Sequence, residues 1–121
     1  MSLIVIAEDE FLIADLLQIM LEDAGYEVLV APHGKAALTL VLEKRPQLVV
    51  TDFMMPLMTG LELARAIRGD VHLADTPIIL VSGAQGSIGR AHPEMFNAVL
   101  DKPYDERKLL DVVHSVLSKF K

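Results

Sequence analysis

Short, wholly apolar runs alternate along this chain with longer segments in which apolar residues recur at helical spacing. The short runs are rich in Val, Ile and Leu and lack the alternation of a strand with one wet face, so each predicts a strand buried on both faces. They occupy residues 3–7, 26–30, 47–51, 77–81 and 98–100. Buried strands joined by helical crossovers predict a parallel α/β sheet that is doubly wound, with helices on both faces.

Helical periods follow the first three strands and the last one. The predicted helices cover residues 11–24, 35–44, 61–67 and 105–120. Residues 84–96 follow the fourth strand and predict no long helix, because Gly86, Gly89 and Pro93 each disfavour one. The pattern is a βα unit repeated five times in 121 residues, which fits a single domain over residues 1–121.

The composition excludes several functions. Cysteine is absent, which excludes a disulfide framework, a thiol nucleophile and a Cys-ligated metal. A formal net charge of −6 argues against direct nucleic-acid binding, since an acidic surface repels phosphate backbones. Apolar runs are shorter than the roughly 18 residues of a membrane span, and no basic segment precedes an apolar stretch as in a signal peptide. Membrane insertion is therefore not expected, and a cytoplasmic location is favoured.

Reactive side chains stand where four of the strands end. Glu8 and Asp9 follow the first strand, Asp52 the third, Ser82 the fourth and Lys102 the fifth. Because the carboxyl ends of parallel strands meet at one edge of a doubly wound sheet, these groups are expected to converge there. Crowded carboxylates repel one another, and a hard divalent cation with oxygen ligands, Mg²⁺ or Mn²⁺, relieves the repulsion.

Such a combination suits phosphoryl transfer to an aspartate. The Asp52 carboxylate can act as the nucleophile, while a cation, Lys102 and Ser82 neutralise or hydrogen-bond the oxygens of the moving phosphoryl group. Each residue alone has an ordinary structural explanation, as an acid at a helix start, a strand-end hydroxyl or a solvated lysine. Convergence from separate strands favours the chemical interpretation.

Several short motifs occur in the order and spacing of a known family. They are Glu8-Asp9, Asp52 with Met55-Pro56, Gly60, Ser82-Gly83 and Lys102-Pro103-Tyr104. On these motifs the chain resembles the receiver domains of two-component response regulators, and across its whole length it is similar to the single-domain chemotaxis type. The resemblance implies a five-stranded flavodoxin-like sheet with strand order 2-1-3-4-5 and a switch controlled by phosphorylation.

The resemblance also implies a phosphoacceptor and a metal site. Asp52 would receive the phosphoryl group. Asp9 would ligate Mg²⁺ directly and Glu8 mainly through water, with Asp52 and the backbone carbonyl of Met54 as further ligands. The metal set implied is therefore Glu8, Asp9, Asp52 and Met54.

The remaining implied roles concern the phosphoryl group and its source. Ser82 would hydrogen-bond the phosphoryl group, and Lys102 would pair with its oxygens through a cis bond to Pro103. The donor would be a phosphohistidine on a sensor histidine kinase or a histidine phosphotransfer protein. The domain would catalyse its own phosphorylation and dephosphorylation without being a conventional enzyme, and its downstream protein target is not identified by the sequence.

Three features depart from the family pattern. Ser82 replaces the commoner Thr but keeps the hydroxyl. Val99 stands three residues before Lys102, where an aromatic side chain often rotates inward. Since residues 84–96 also lack a full helix pattern, the face that usually signals to partners is expected to be unusual.

Two other functions fit this sequence less well, and two related ones fit it too. A flavin or nucleotide binder would need a phosphate-binding loop where Glu8, Asp9 and Glu10 repel phosphate. An aspartyl-phosphate phosphatase would need an acid at Met54. A pseudo-receiver that serves as a protein-interaction module without being phosphorylated, and a receiver domain excised from a larger hybrid kinase or regulator, stay open as alternatives.

Overall fold

Five parallel strands and five helices alternate along the chain in the computed structural model, which describes residues 2–119. The strands are β1 (Leu3–Ala7), β2 (Glu27–Ala31), β3 (Leu48–Asp52), β4 (Ile78–Ser82) and β5 (Ala98–Asp101). The helices are α1 (Phe11–Asp23), α2 (Gly34–Lys44), α3 (Gly60–Arg68), α4 (Gly86–Arg90) and α5 (Glu106–Ser118). The strand order is β2-β1-β3-β4-β5, with every pairing parallel, so the predicted doubly wound sheet is confirmed.

The predicted element boundaries are close to those observed. Strand β1 has the predicted limits, whereas β2, β3 and β4 each begin and end one residue later than predicted. The predicted end of the last helix at Phe120 lies outside the described residues. Among residues 2–119 there is no helix with both the length and the apolar character needed to cross a bilayer.

Each face of the sheet has its own apolar core. Ile4 and Ile6 of β1 pack on one face with Leu17 of α1 and Leu109 of α5. The intervening Val5 packs on the other face, among buried residues of α2 and α3 such as Val41 and Ile67. Burial on both faces explains why the strand sequences are continuously apolar.

Helix α4 is short and lies close to the sheet. It covers five residues, which agrees with the prediction that residues 84–96 form no long helix. A Cβ atom on Gly89 would lie 2.6 Å from a methyl carbon of Leu80 and 2.8 Å from one of Val99, so this approach requires glycine. The short helix therefore rests directly on β4 and β5.

The loop between α4 and β5 is tied down by one arginine. The Arg68 guanidinium donates to the carbonyl oxygens of Glu94 at 3.2 Å and Met95 at 3.0 Å, and to Asn97 Oδ1 at 3.0 Å. It also donates to the carbonyl oxygens of Ala74 and Thr76 before β4. These bonds fix the end of the loop, so any movement that begins at β4 is expected to concentrate in and around α4.

Candidate functional site

Three carboxylates meet at the carboxyl edge of the sheet. Glu8 and Asp9 follow β1, Asp52 ends β3, and one oxygen of each lies within 4.8 Å of the other two. Glu8 is buried, Asp52 is partly buried and Asp9 is exposed, so the cluster opens to solvent on one side. A compact set of hard oxygen donors with an open side is suited to Mg²⁺, which keeps several of its waters.

The electrostatics of this cluster are most visible in the pKa of the buried Glu8. Burial raises its pKa to about 7, and the negative charge of Asp52 acts in the same direction. The backbone N–H of Glu10, which donates to Glu8 Oε2 at 3.2 Å, and the positive charge of Lys102 lower the pKa but do not offset burial. The fold therefore disfavours the ionised form of Glu8, and a cation bound beside it would favour that form.

Lys102 brings a positive charge to the carboxylates from the end of β5. Its Nζ lies 3.6 Å from Asp52 Oδ2 and 3.9 Å from Glu8 Oε1. The neighbouring Asp101 pairs instead with Arg90, at 2.9 Å, so it does not draw Lys102 away. The Lys102–Pro103 peptide is cis, as the resemblance implies.

The surroundings of Asp52 orient its carboxylate. Oδ1 accepts a hydrogen bond from the backbone N–H of Phe53 at 2.8 Å, and Oδ2 is the oxygen nearest Lys102. Helix α3 begins against this backbone: Gly60 N–H donates to the Phe53 carbonyl at 2.8 Å, and a Cβ atom at position 60 would overlap the Asp52 carbonyl. One carboxylate oxygen is thus anchored while the other faces the ammonium group.

Ser82 lies beside these groups, but its hydroxyl is bonded to the following loop. Asp52 pairs in register with Val81, and Ser82 is the next residue of β4. The Ser82 side chain is buried; its Oγ accepts from the backbone N–H of Gln85 at 2.8 Å and donates to Gln85 Oε1 at 3.3 Å. The sequence pointed to Ser82 but not to Gln85.

Two further residues lie near the carboxyl edge of the sheet: Met54, which was predicted as part of the site, and Tyr104, which was not. Met54 is 59% exposed, and the role of its backbone carbonyl as a metal ligand stays a prediction. Tyr104, quoted from the sequence only as part of a motif, is partly buried, and burial raises the pKa of its hydroxyl to about 12, assisted by the charges of Glu8 and Asp52. Its place directly after Lys102-Pro103 is the sequence signal that could have linked it to the site.

Comparisons with known proteins assign this fold and site to a class. The flavodoxin-like sheet with acids and a lysine at its carboxyl edge is that of a signal-receiving domain, and the chain matches the family model described as "Response regulator receiver domain" over residues 4–114. The chain belongs to the response regulator receiver family.

Solved structures and curated relatives agree with this assignment. The receiver domain of a signal transduction histidine kinase from Syntrophus aciditrophicus has a TM-score of 0.91 at 28% identity, covering 100% of this chain and 93% of that one. The Vibrio cholerae chemotaxis protein CheY4 has a TM-score of 0.89 at 28% identity, with 96% and 98% covered. The phosphate regulon transcriptional regulatory protein PhoB of Pseudomonas aeruginosa is 30% identical over 118 residues, which are 96% of this chain and 52% of the relative.

The chain spans about half the length of the curated relatives it matches, 52% and 50% for two of them. The shared part is therefore the receiver domain, and what the remaining half of each relative does is not carried over to this chain.

Substitution of Lys102 by Ala is expected to spare metal binding and to weaken binding of a phosphoryl group. The ammonium faces Asp52 Oδ2, and its loss removes no oxygen ligand from the cluster. A lost charge-assisted contact corresponds to about ten- to a hundredfold weaker affinity for beryllofluoride, a phosphoryl mimic. Calorimetric titrations with Mg²⁺ alone and then with beryllofluoride separate the two effects, and Lys108→Ala, at an exposed lysine of α5, is the control. A large loss of Mg²⁺ affinity in Lys102→Ala would contradict this role.

Proposed function

We propose that this domain, residues 1–121, is a phosphorylation-dependent signalling switch that accepts a phosphoryl group on Asp52. The donor is a phosphohistidine on a sensor histidine kinase or a histidine phosphotransfer protein. The observation that carries the proposal is the Lys102 ammonium 3.6 Å from Asp52 Oδ2, inside a cluster of three carboxylates. The proposal keeps the cytoplasmic location and the absence of direct nucleic-acid contact that the sequence predicts.

The transfer needs a nucleophile and a means of neutralising charge. An oxygen of Asp52 attacks the phosphorus atom, an O–P bond forms, and the P–N bond to the donor imidazole breaks with its electron pair going to the ring nitrogen. Negative charge on the phosphoryl oxygens is balanced by Lys102, and Ser82 supplies a neutral hydrogen-bond donor. The Phe53 N–H holds the other carboxylate oxygen and so fixes the direction of attack.

The residues that would hold a divalent cation are Glu8, Asp9, Asp52 and the backbone carbonyl of Met54. When bound, Mg²⁺ or Mn²⁺ supplies positive charge that stabilises the phosphoryl oxygens during transfer. The raised pKa of Glu8 supports the fit, because burial and then the charge of Asp52 disfavour the ionised carboxylate, and a bound cation would favour it.

An apolar surface beside the carboxylates supports a protein as the phosphoryl donor. Helix α1 starts two residues after Asp9, and it exposes 82% of Phe11, 81% of Leu12, 56% of Leu16 and 55% of Ile19. Exposed clusters of large apolar side chains mark protein-interaction surfaces in soluble domains. A protein seated on α1 would bring its phosphohistidine to the neighbouring carboxyl edge of the sheet.

The proposal is tested by intact mass after incubation with Mg²⁺ and a small phosphodonor such as acetyl phosphate. Wild type is expected to gain the mass of one phosphoryl group, and Asp52→Asn is expected to gain none because the amide is not a nucleophile for this step. Asp23→Asn, which removes an exposed acid at the end of α1, is the control and should be modified like wild type. Equal incorporation in wild type and Asp52→Asn would refute the assignment, and no incorporation in any protein would favour the pseudo-receiver.

A further inference from the structure

We propose that Gln85 is a positioning residue that holds the Ser82 hydroxyl away from the phosphoryl group until Asp52 is modified. The proposal rests on the proposed function, because it concerns how the same site responds to the phosphoryl group. It adds a residue that is outside the acidic cluster and outside the motifs of the family resemblance.

The Ser82 hydroxyl has a single proton, and it donates that proton in a hydrogen bond to the Gln85 side chain. Ser82 Oγ donates to Gln85 Oε1 at 3.3 Å and accepts from the Gln85 backbone N–H at 2.8 Å. A hydroxyl can donate once and accept twice, so its donating capacity is fully used by this one amide. The side chain is buried, which keeps water from competing for the bond.

A phosphoryl group on Asp52 would compete for that proton. Near neutral pH the group is anionic and its oxygens act as hydrogen-bond acceptors, so Ser82 can donate to them only by turning its proton away from Gln85 Oε1. The bond from the Gln85 N–H uses a lone pair of Oγ and can persist. Activation therefore exchanges one acceptor for another, and the Gln85 amide opposes the exchange.

The position of Gln85 connects this exchange to helix α4. Gln85 directly precedes Gly86, the first residue of α4, and a Cβ on Gly86 would overlap the Asp101 carboxylate of β5. Gly89 also lies close to β5, since a Cβ there would be 2.8 Å from a methyl carbon of Val99. Since both glycines bring the backbone of α4 close to β5, and Arg90 of α4 pairs with Asp101 of β5 at 2.9 Å, a change in the Gln85 side chain is expected to alter the contact between α4 and β5.

Equilibrium binding of beryllofluoride in saturating Mg²⁺ tests the proposal. Gln85→Met removes the acceptor at similar volume and is expected to bind beryllofluoride about twofold to fivefold more tightly than wild type, the worth of one long neutral hydrogen bond. Mg²⁺ affinity without beryllofluoride is expected to be unchanged. Gln85→Ala should shift the affinity in the same direction, and Gln18→Met on α1 is the matched control.

A double-mutant cycle with Ser82→Ala separates positioning from general packing. In the Ser82→Ala background Gln85→Met should have no effect on beryllofluoride affinity, because no hydroxyl proton remains to compete for. An effect that persists without Ser82 overturns the proposal. So does unchanged or weaker binding by Gln85→Met, the result expected if the amide nitrogen faced the hydroxyl. If wild type and every variant fail to bind beryllofluoride, the proposed function itself fails and takes this inference with it.

Discussion

At pH 8 and without divalent cations, Glu8→Gln is expected to be more stable than the wild type by on the order of 3 kcal/mol. The reason is the pKa of Glu8, which the fold raises from 4.5 to about 7, chiefly through burial. One unit of pKa corresponds to about 1.4 kcal/mol between the two protonation states. Ionising Glu8 in the folded protein therefore costs free energy that a neutral amide of the same shape avoids.

The pH dependence of this difference has a defined sign. Between pH 4.5 and about 7 the folded state holds the Glu8 proton more tightly than the unfolded state does. The contribution of Glu8 to the free energy of unfolding is therefore lost as the pH rises through this window. Below pH 4.5 the carboxyl is protonated in both states, and the two proteins should become equally stable.

Urea unfolding at several pH values measures this difference directly. The exposed acid of α2 provides the control, since Glu43→Gln should leave stability nearly unchanged across the range. A difference between wild type and Glu8→Gln that is independent of pH would contradict the assignment of the strain to Glu8 ionisation.

Mg²⁺ is expected to offset the destabilisation of the fold that the crowded carboxylates cause. A ligand that binds only the folded state stabilises it by about 2.7 kcal/mol at a hundredfold excess over its Kd. Without metal, Asp9→Ala should raise the melting temperature by about 4 °C, since one oxygen of Asp9 lies within 4.8 Å of its acidic neighbours and like charges at such a separation repel by about 1 kcal/mol even in water. The same variant should lose the response to Mg²⁺, because it removes one of the three clustered carboxylates.

Thermal melts with and without Mg²⁺ test both parts of this expectation. Glu10→Ala is the matched control, because Glu10 is the next acid along the chain but is not one of the three clustered carboxylates. It should keep the Mg²⁺ response. A wild-type melting temperature that does not change with Mg²⁺ would argue against a metal site.

The fold could be predicted because its main signals are local. Strands buried on both faces are continuously apolar in sequence, and the glycines of residues 84–96 predicted that no long helix forms there. The faces of α1 could not be predicted in the same way. Two sets of apolar residues in α1 have helical spacing: the exposed Leu12, Leu16 and Ile19, and the buried Leu17 and Leu21. Only the packing of α1 on the sheet shows which set faces the core.

The candidate site was predictable as far as the order of strand ends determines it. Parallel strands bring their carboxyl ends together, so Asp52 and Lys102 could be expected to meet. Hydrogen bonds that depend on side-chain direction were not accessible in this way. One example is the hydrogen bond between Ser82 and Gln85, and another is the set of hydrogen bonds that Arg68 donates. Both involve loop residues, and the pattern of apolar residues does not predict the conformation of a loop.

The central claim is that Asp52 carries the phosphoryl group, and chemical trapping tests it at the level of the residue. Borohydride reduces an aspartyl phosphate to homoserine, which peptide mass spectrometry locates in the sequence. After incubation with Mg²⁺ and acetyl phosphate, homoserine is expected at position 52 and at no other aspartate. Homoserine at Asp9 or elsewhere, or its absence from position 52 in protein that has gained phosphoryl mass, would contradict the account.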